Sequence, residues 1–137
     1  MPEMDPMTLF TPEGTPTVPH APAIVGIRCN DCNAVAFPFQ PFGCENCGSV
    51  DVAQSRLDGR GRVLTTARVH IHADPNRPPP FTIAAVMLDC GAFVRGVVAD
   101  ESADHLEFGD TVVTSLVPEF RPNRGKTDIR FVKQEVN

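Results

Sequence analysis

Cys29 and Cys32 form one CxxC pair and Cys44 and Cys47 another, with eleven residues, 33–43, between them. A CxxC turn lets both of its sulfurs reach one ion, and four thiolates close a tetrahedral Zn2+ site that keeps no position for a catalytic water. The chemistry expected of these residues is therefore structural. Metal binding worth about 10–16 kcal/mol orders a segment whose own apolar content is Val35, Phe37, Phe39 and Phe42. Gly48 follows the second pair, where a knuckle often needs positive φ, and Asn33 follows the first; after Gly, Asn tolerates that region best. Two disulfides or an iron-sulfur cage are the alternative uses of the same residues. Close pairs in a reducing compartment favour metal over disulfide, and nothing in the sequence indicates a redox partner for iron.

Two other groups of residues could carry chemistry. His70 and His72 are two apart in a strand-like run and so share a face, which suits a metal or an acid-base role; no carboxylate stands at a spacing that completes such a site. Cys90, in LDCGAF, falls at an expected hairpin turn. A nucleophilic thiol needs a base and a depressed pKa, and the sequence supplies neither, so Cys90 reads as a turn or partner-facing residue.

The elements that must position these residues are strands. From residue 52 the runs VAQSRL, GRVLTTARVHIH, FTIAAVMLD, AFVRGVVA, TVVTSLVPEF and DIRFVKQ alternate and are rich in β-branched residues, with Gly, Pro and Asp turns between them. ESADHLEFGD offers one short helical turn, with Ser102 as N-cap, Leu106 and Phe108 as apolar contacts and Gly109 as the stop. Residues 1–25 hold six of the fourteen prolines and predict an extended arm. The expected organisation is a proline-rich arm over 1–25, a zinc ribbon over 26–51 and a β-barrel over 52–137. Small all-β domains of five or six short strands are commonly closed Greek-key barrels, of which the OB-fold is the usual small example. The fold class expected is mainly β, a rubredoxin-like zinc ribbon followed by a C-terminal OB-fold barrel.

With 137 residues the chain has room for one compact core and an appendage. The net charge of −5 lacks the field of a nonspecific nucleic-acid binder. Single-stranded nucleic-acid binding by an OB barrel and ribbon remains a competing class, but Tyr and Trp are absent. Three of the nine Phe are explained by packing in the ribbon hairpin, and the rest do not interleave with Lys or Arg. A stand-alone small-molecule carrier is a third class. The acidic start MPEMDPMTLFTPEG does not fit a signal peptide and no apolar run reaches about 18 residues, so a soluble, cytoplasmic protein is expected.

The ordered series RCNDCNAVAFP, CENCGS, LDGRGRVLTTARVH, PPPFTIAAVMLDCGAFVRGVVAD and HLEFGDTVVTSLVPEF, over roughly residues 27–132, resembles the rubredoxin-type zinc-ribbon and OB-fold proteins associated with acyl-CoA thiolases, aldolases and acyltransferases. The resemblance implies a non-catalytic subunit that binds a thiolase-fold partner, the pair acting on acyl-CoA esters in β-oxidation-like degradation or carbon-carbon bond formation. It is similar to the small subunit of two-subunit thiolases of the benzoylsuccinyl-CoA thiolase type, and nearly as similar to the partners of steroid side-chain aldolases. The family often has Gly where this chain has Asn33, and FPP followed by Arg where this chain reads FPFQ and ends at Gln40. CoA carries several phosphate charges, so the resemblance directs attention to FRPNRGKTDIR, where Arg121, Arg124, Lys126 and Arg130 gather in an otherwise acidic chain. Arg121, Arg124 and Lys126, with Arg77 of the HADPNRPPPF loop, are the candidates to border CoA or the partner; the alternative is a solvated turn whose basic residues serve solubility or rim contacts.

Overall fold

A computed structural model describes residues 8–70, 80–99, 102, 105–118 and 127–134. Every regular element among these residues is a strand, as expected of a mainly β chain. The chain opens with β1 (Phe10–Thr11), β2 (Ala23–Cys29), β3 (Val35–Ala36) and β4 (Val52–Leu57), then continues through β5 (Arg60–Val69), β6 (Phe81–Leu88), β7 (Phe93–Val97), β8 (Thr111–Pro118) and β9 (Thr127–Lys133).

The first four strands form one antiparallel sheet in which β2 pairs with each of the others. β1 meets its start, Phe10 opposite Ile24, and β3 meets its end, Arg28 opposite Val35. The whole of β4 lies along the other edge, from Ile24 opposite Leu57 to Cys29 opposite Val52. The run VAQSRL is thus a strand, but it belongs to the sheet of the ribbon and not to the barrel. Its burial changes along its length: Ala53 is exposed while Leu57 is buried among barrel residues.

From residue 8 onward the proline-rich segment folds back, with β1 as the first arm of a β1–β2 hairpin, instead of extending away. Prolines cannot donate to a ladder, so side chains take over the bonding of this loop. Arg56 donates through Nη2 to the carbonyls of Glu13 at 3.1 Å and Gly14 at 2.5 Å, and the Val18 amide donates to Thr15 Oγ1 at 3.1 Å. The Thr15 hydroxyl in turn donates to Asp58. Val18 and Ala21 are buried as a result.

The second sheet runs β7-β6-β5-β8-β9. It curls until its ends meet: Val98 bridges Phe131 in parallel, and the Ala99 amide donates to the Phe131 carbonyl at 2.9 Å. An order of 3-2-1-4-5 among five strands, closed by a parallel contact between the third and the fifth, is an OB-type Greek-key barrel. Gly96 makes the closure possible, because a Cβ there would stand 2.5 Å from the Phe131 ring. The interior holds Val63, Val86, Leu88, Val94, Val112 and Phe131, all buried. Each such aliphatic side chain contributes about 1.5–3 kcal/mol by leaving water.

The two sheets share this core. Ile24 of β2 and Leu57 of β4 are buried in the barrel cluster, and Val35 and Phe37 of the ribbon hairpin pack against it. Thr114 in β8 donates its hydroxyl to the Pro22 carbonyl at 2.6 Å, tying the barrel to the entry of β2.

The short helical turn expected before β8 lies partly outside the described residues. Ser102 accepts the Lys133 backbone N–H at its Oγ at 3.1 Å and the His105 amide at its carbonyl at 3.1 Å, and Leu106 packs against the core while Phe108 is 81% exposed. Gly109, at φ +88, lets its amide reach the Val63 carbonyl at 2.8 Å. That contact serves the barrel edge, which is why the turn follows β5 and not a helical register. No helix among the described residues is long and apolar enough to cross a membrane.

Candidate metal centre

Cys29 ends β2, and two knuckle turns complete its surroundings. The first knuckle closes through the Asn33 amide donating to the Cys29 carbonyl at 2.9 Å and the Cys29 amide donating to the Ala34 carbonyl at 2.9 Å. The second repeats the pattern, with the Gly48 amide on the Cys44 carbonyl at 2.9 Å and the Cys44 amide on the Ser49 carbonyl at 2.8 Å. Asn33 at φ 64 and Gly48 at φ 79 occupy the left-handed region that each turn needs. The knuckles are joined to each other by the Ser49 hydroxyl, which donates to Asp31, and by Asn30, whose amide group donates to Asp51 Oδ1 at 3.0 Å.

The result is convergence of four sulfurs. Cys29 Sγ and Cys47 Sγ are 3.5 Å apart, Cys32 Sγ and Cys44 Sγ are 3.6 Å apart, and all four lie within 4.8 Å of one another. Zn–S bonds of about 2.3 Å at tetrahedral angles separate sulfurs by roughly 3.8 Å, so the cage has the size of a Zn2+ site and could hold such an ion. The four thiols are free of disulfide bonds. Burial grades across the cage from Cys29, which is buried, to Cys47, which is exposed. A metal here would face the sheet on one side and solvent on the other.

Asn46 is the functional residue that sequence reasoning missed. It donates its backbone N–H to Cys44 Sγ at 3.3 Å and its side-chain amide to Cys32 Sγ at 3.5 Å. The side-chain bond from Asn46 is the largest influence holding the Cys32 thiol down at about 6, with the hydrogen bond to the Ala34 backbone next. At Cys47 the Ser49 backbone pulls the thiol down, but the adjoining thiols of Cys29, Cys32 and Cys44 outweigh it and push the value up to about 12. Four sulfurs this close do not all ionise unless a cation shares their charge.

Gln40, which stands where the resembled family often has Arg, has a local task. Its Oε1 accepts the Phe42 amide at 2.6 Å and the Gly43 amide at 3.2 Å, while Nε2 donates to the Gly43 carbonyl at 2.5 Å. This clamp shapes the turn into the second knuckle and leaves Phe42 85% exposed. Phe42 is therefore not part of the ribbon's packing, contrary to expectation, whereas Phe37 is.

The other sequence candidates do not assemble. Cys90 is exposed at the β6–β7 turn, where Gly91 at φ 100 donates to the Leu88 carbonyl at 2.8 Å; desolvation, the largest cause, holds its thiol above the ordinary range. A raised thiol is a poor nucleophile. His70 is exposed at the end of β5, and His72, Arg77, Arg121, Arg124 and Lys126 lie outside the described residues. Among the described residues the four cysteines are the one group of three or more His, Cys, Asp or Glu able to share a metal ion. A hollow of about 350 Å³ at the seam between β7 and β9, walled in part by Phe10, Phe37, Ile83 and Val97, is the feature a small-molecule carrier would use. Of the charged groups in its wall, Arg130 is paired with Asp128, and Arg95 stands over the Phe93 ring, 5.6 Å from its centroid.

No protein-family model matches the chain. A DUF35 domain-containing scaffold protein of Methanocaldococcus jannaschii is 30% identical over 88 residues, which are 63% of this chain and 62% of that protein. The match thus spans less than two thirds of that relative's length. A DUF35 domain-containing scaffold protein of Methanothermobacter thermautotrophicus is 27% identical over 99 residues, 69% of this chain and 72% of that protein. Among solved structures, the Ltp2-ChsH2(DUF35) aldolase superposes with a TM-score of 0.64 at 27% identity, covering 81% of this chain and 84% of that one.

Proposed function

We propose that this chain is a non-catalytic, zinc-containing accessory subunit that assembles with a thiolase-fold catalytic partner acting on acyl-CoA esters. The observation that carries the reading is the sulfur-closed cage built onto β2. Such a site stabilises a docking module and offers no open coordination position for substrate. Cys29, Cys32, Cys44 and Cys47 would hold one Zn2+, which supplies the ribbon with most of its folding free energy. The similarity to scaffold proteins supports an architectural role, and the likeness to an aldolase component supports an acyl-CoA-processing complex.

Two chemistries fit such a complex: thiolytic cleavage of the benzoylsuccinyl-CoA thiolase type, and carbon-carbon cleavage by an aldolase of the steroid side-chain type. The 0.64 TM-score to an aldolase favours the second. Arg121, Arg124 and Lys126, which cluster in sequence, and Arg77 of the HADPNRPPPF loop remain proposed contacts to CoA or to the partner.

Reconstitution tests the reading. The purified chain is expected to carry one zinc and to turn over no acyl-CoA ester, and to restore full turnover when added to the catalytic subunit recovered with it. Within that complex, joint replacement Arg121→Ala, Arg124→Ala and Lys126→Ala is expected to raise KM for acyl-CoA. Turnover by the chain alone, lost in Cys90→Ala, would sink the accessory reading, and an unchanged KM would remove the basic loop from it.

A further inference from the structure

β7 and β9 meet at the bridge between Val98 and Phe131 and part before it. The hollow of about 350 Å³ lies in that gap, between residues 94–97 of one strand and 128–131 of the other. Phe131 and Ile24 of the shared core stand in its wall, and so do Phe10 and Phe37 from the first four strands' side of the molecule.

The two strand edges that face the gap differ. In the β8–β9 ladder the Gln134 amide bonds the Thr111 carbonyl, and every second residue back to Asp128 bonds β8 likewise, which turns the backbone groups of Ile129 toward the gap. Both of these are taken: Asp128 Oδ1 accepts the Ile129 amide at 2.8 Å, and Arg130 donates through Nη1 to the Ile129 carbonyl at 2.9 Å. In the β6–β7 ladder the Val98 amide bonds the Thr82 carbonyl, so Gly96 and Val94 also bond β6, and Arg95 turns its N–H and C=O toward the gap. No described residue bonds either group. The Arg95 guanidinium lies over Phe93, a ring that is 42% exposed, and among the described residues no carboxylate pairs with it. A cation resting on an exposed ring is held less firmly than one hydrogen-bonded to a carboxylate.

We infer that the hollow binds a compact aromatic carboxylate, with its rings among the Phe side chains and its carboxylate on Arg95, one residue that offers both a backbone N–H and a guanidinium. A cavity of about 150 Å³ holds one benzene ring, so this hollow takes a body of about two. Phe10, Phe37 and Phe131 supply the faces and edges against which aromatic rings pack. Arg95 and Arg130 against Asp128 give the described wall one net positive charge in a chain whose net charge is −5, which matches a single anionic group. A peptide strand fits less well, because the Ile129 edge is already bonded by its own neighbours and could not join a second ladder. The site is complete within this chain and needs no partner subunit.

Naphthalene-2-carboxylate, added to the zinc-loaded full chain and followed through the isoleucine methyl resonances, tests the site. Ile24, Ile83 and Ile129 wall the hollow, whereas Ile27 lines the separate recess beside the sulfur cage and serves as internal control. The expected Kd is about 1 mM or tighter, as befits a ligand of this size, with shifts at Ile24, Ile83 and Ile129 and none at Ile27. The neutral 2-naphthalenemethanol is expected to bind about tenfold more weakly. Arg95→Gln is expected to lower the affinity for the acid by a similar factor and to leave that for the alcohol unchanged. Absence of binding, shifts centred on Ile27, equal affinity for acid and alcohol, or an Arg95→Gln chain that keeps its preference for the acid overturns the proposal. Should Arg95→Gln fail to fold, the methyl map and the acid–alcohol comparison on the unaltered chain decide alone.

Discussion

Asn46 shows how much of a candidate metal site lies outside the four cysteines that could hold the ion. Two N–H groups from one residue reach two different sulfurs, so a single side chain sets both the orientation of Cys32 and the charge it can carry. Groups that orient ligands in this way typically account for a factor of 10–100 in metal affinity. Asn46→Ala is therefore expected to weaken zinc binding about tenfold or more, measured by competition with a chromophoric chelator, while zinc stoichiometry at saturation stays that of the unaltered chain. The convergence of the four cysteines was legible in the sequence because CxxC spacing is a local property: two residues between sulfurs suffice to bring them together. Asn46 was not, since an Asn between paired cysteines means nothing until its amide is seen to face the opposite knuckle, across a sequence gap of 14 residues. Asn33 and Gly48 lie between these cases, because positive φ is a preference of the residue itself.

At the scale of elements, all six strands expected after residue 52 are present, since alternation over five or more residues depends only on which face a side chain takes. The sheet to which a strand belongs depends instead on a distant partner. β4 carries a pattern that would serve either sheet, and its pairing with β2 is visible only in three dimensions. The segment expected as an extended arm pairs instead as β1 for a related reason: Arg56 and Thr15 bond its loop from positions that the proline pattern does not reveal. The contact that fixes β2 to the barrel is the Thr114 hydroxyl on the Pro22 carbonyl, both in buried positions. Thr114→Val keeps the side-chain shape and leaves that carbonyl without its donor, a cost of about 1–3 kcal/mol. The expected result is a lower urea midpoint at unchanged m-value, and a midpoint equal to that of the parent chain would show that the bond carries no net stability.

For the molecule as a whole, the shared core decides how metal and fold are coupled. Ile24 and Leu57 sit among the barrel residues, while Cys29, five residues along the same strand from Ile24, belongs to the sulfur cage. Removal of zinc by a strong chelator is therefore expected to lower the stability of the barrel as well as the ribbon, so that thermal unfolding shifts as one transition. Two separate transitions, with the later one unmoved by chelator, would show that the ribbon unfolds independently. The same strand bears on how such a chain can change over evolutionary time. β2 is at once the spine of the ribbon's sheet and a wall of the barrel's core, so a recombination breakpoint between β4 and β5 would give each parent's barrel a foreign inner wall. Cuts that fall before β1 keep the inherited unit whole, and chimeras made at the two positions should differ sharply in soluble yield.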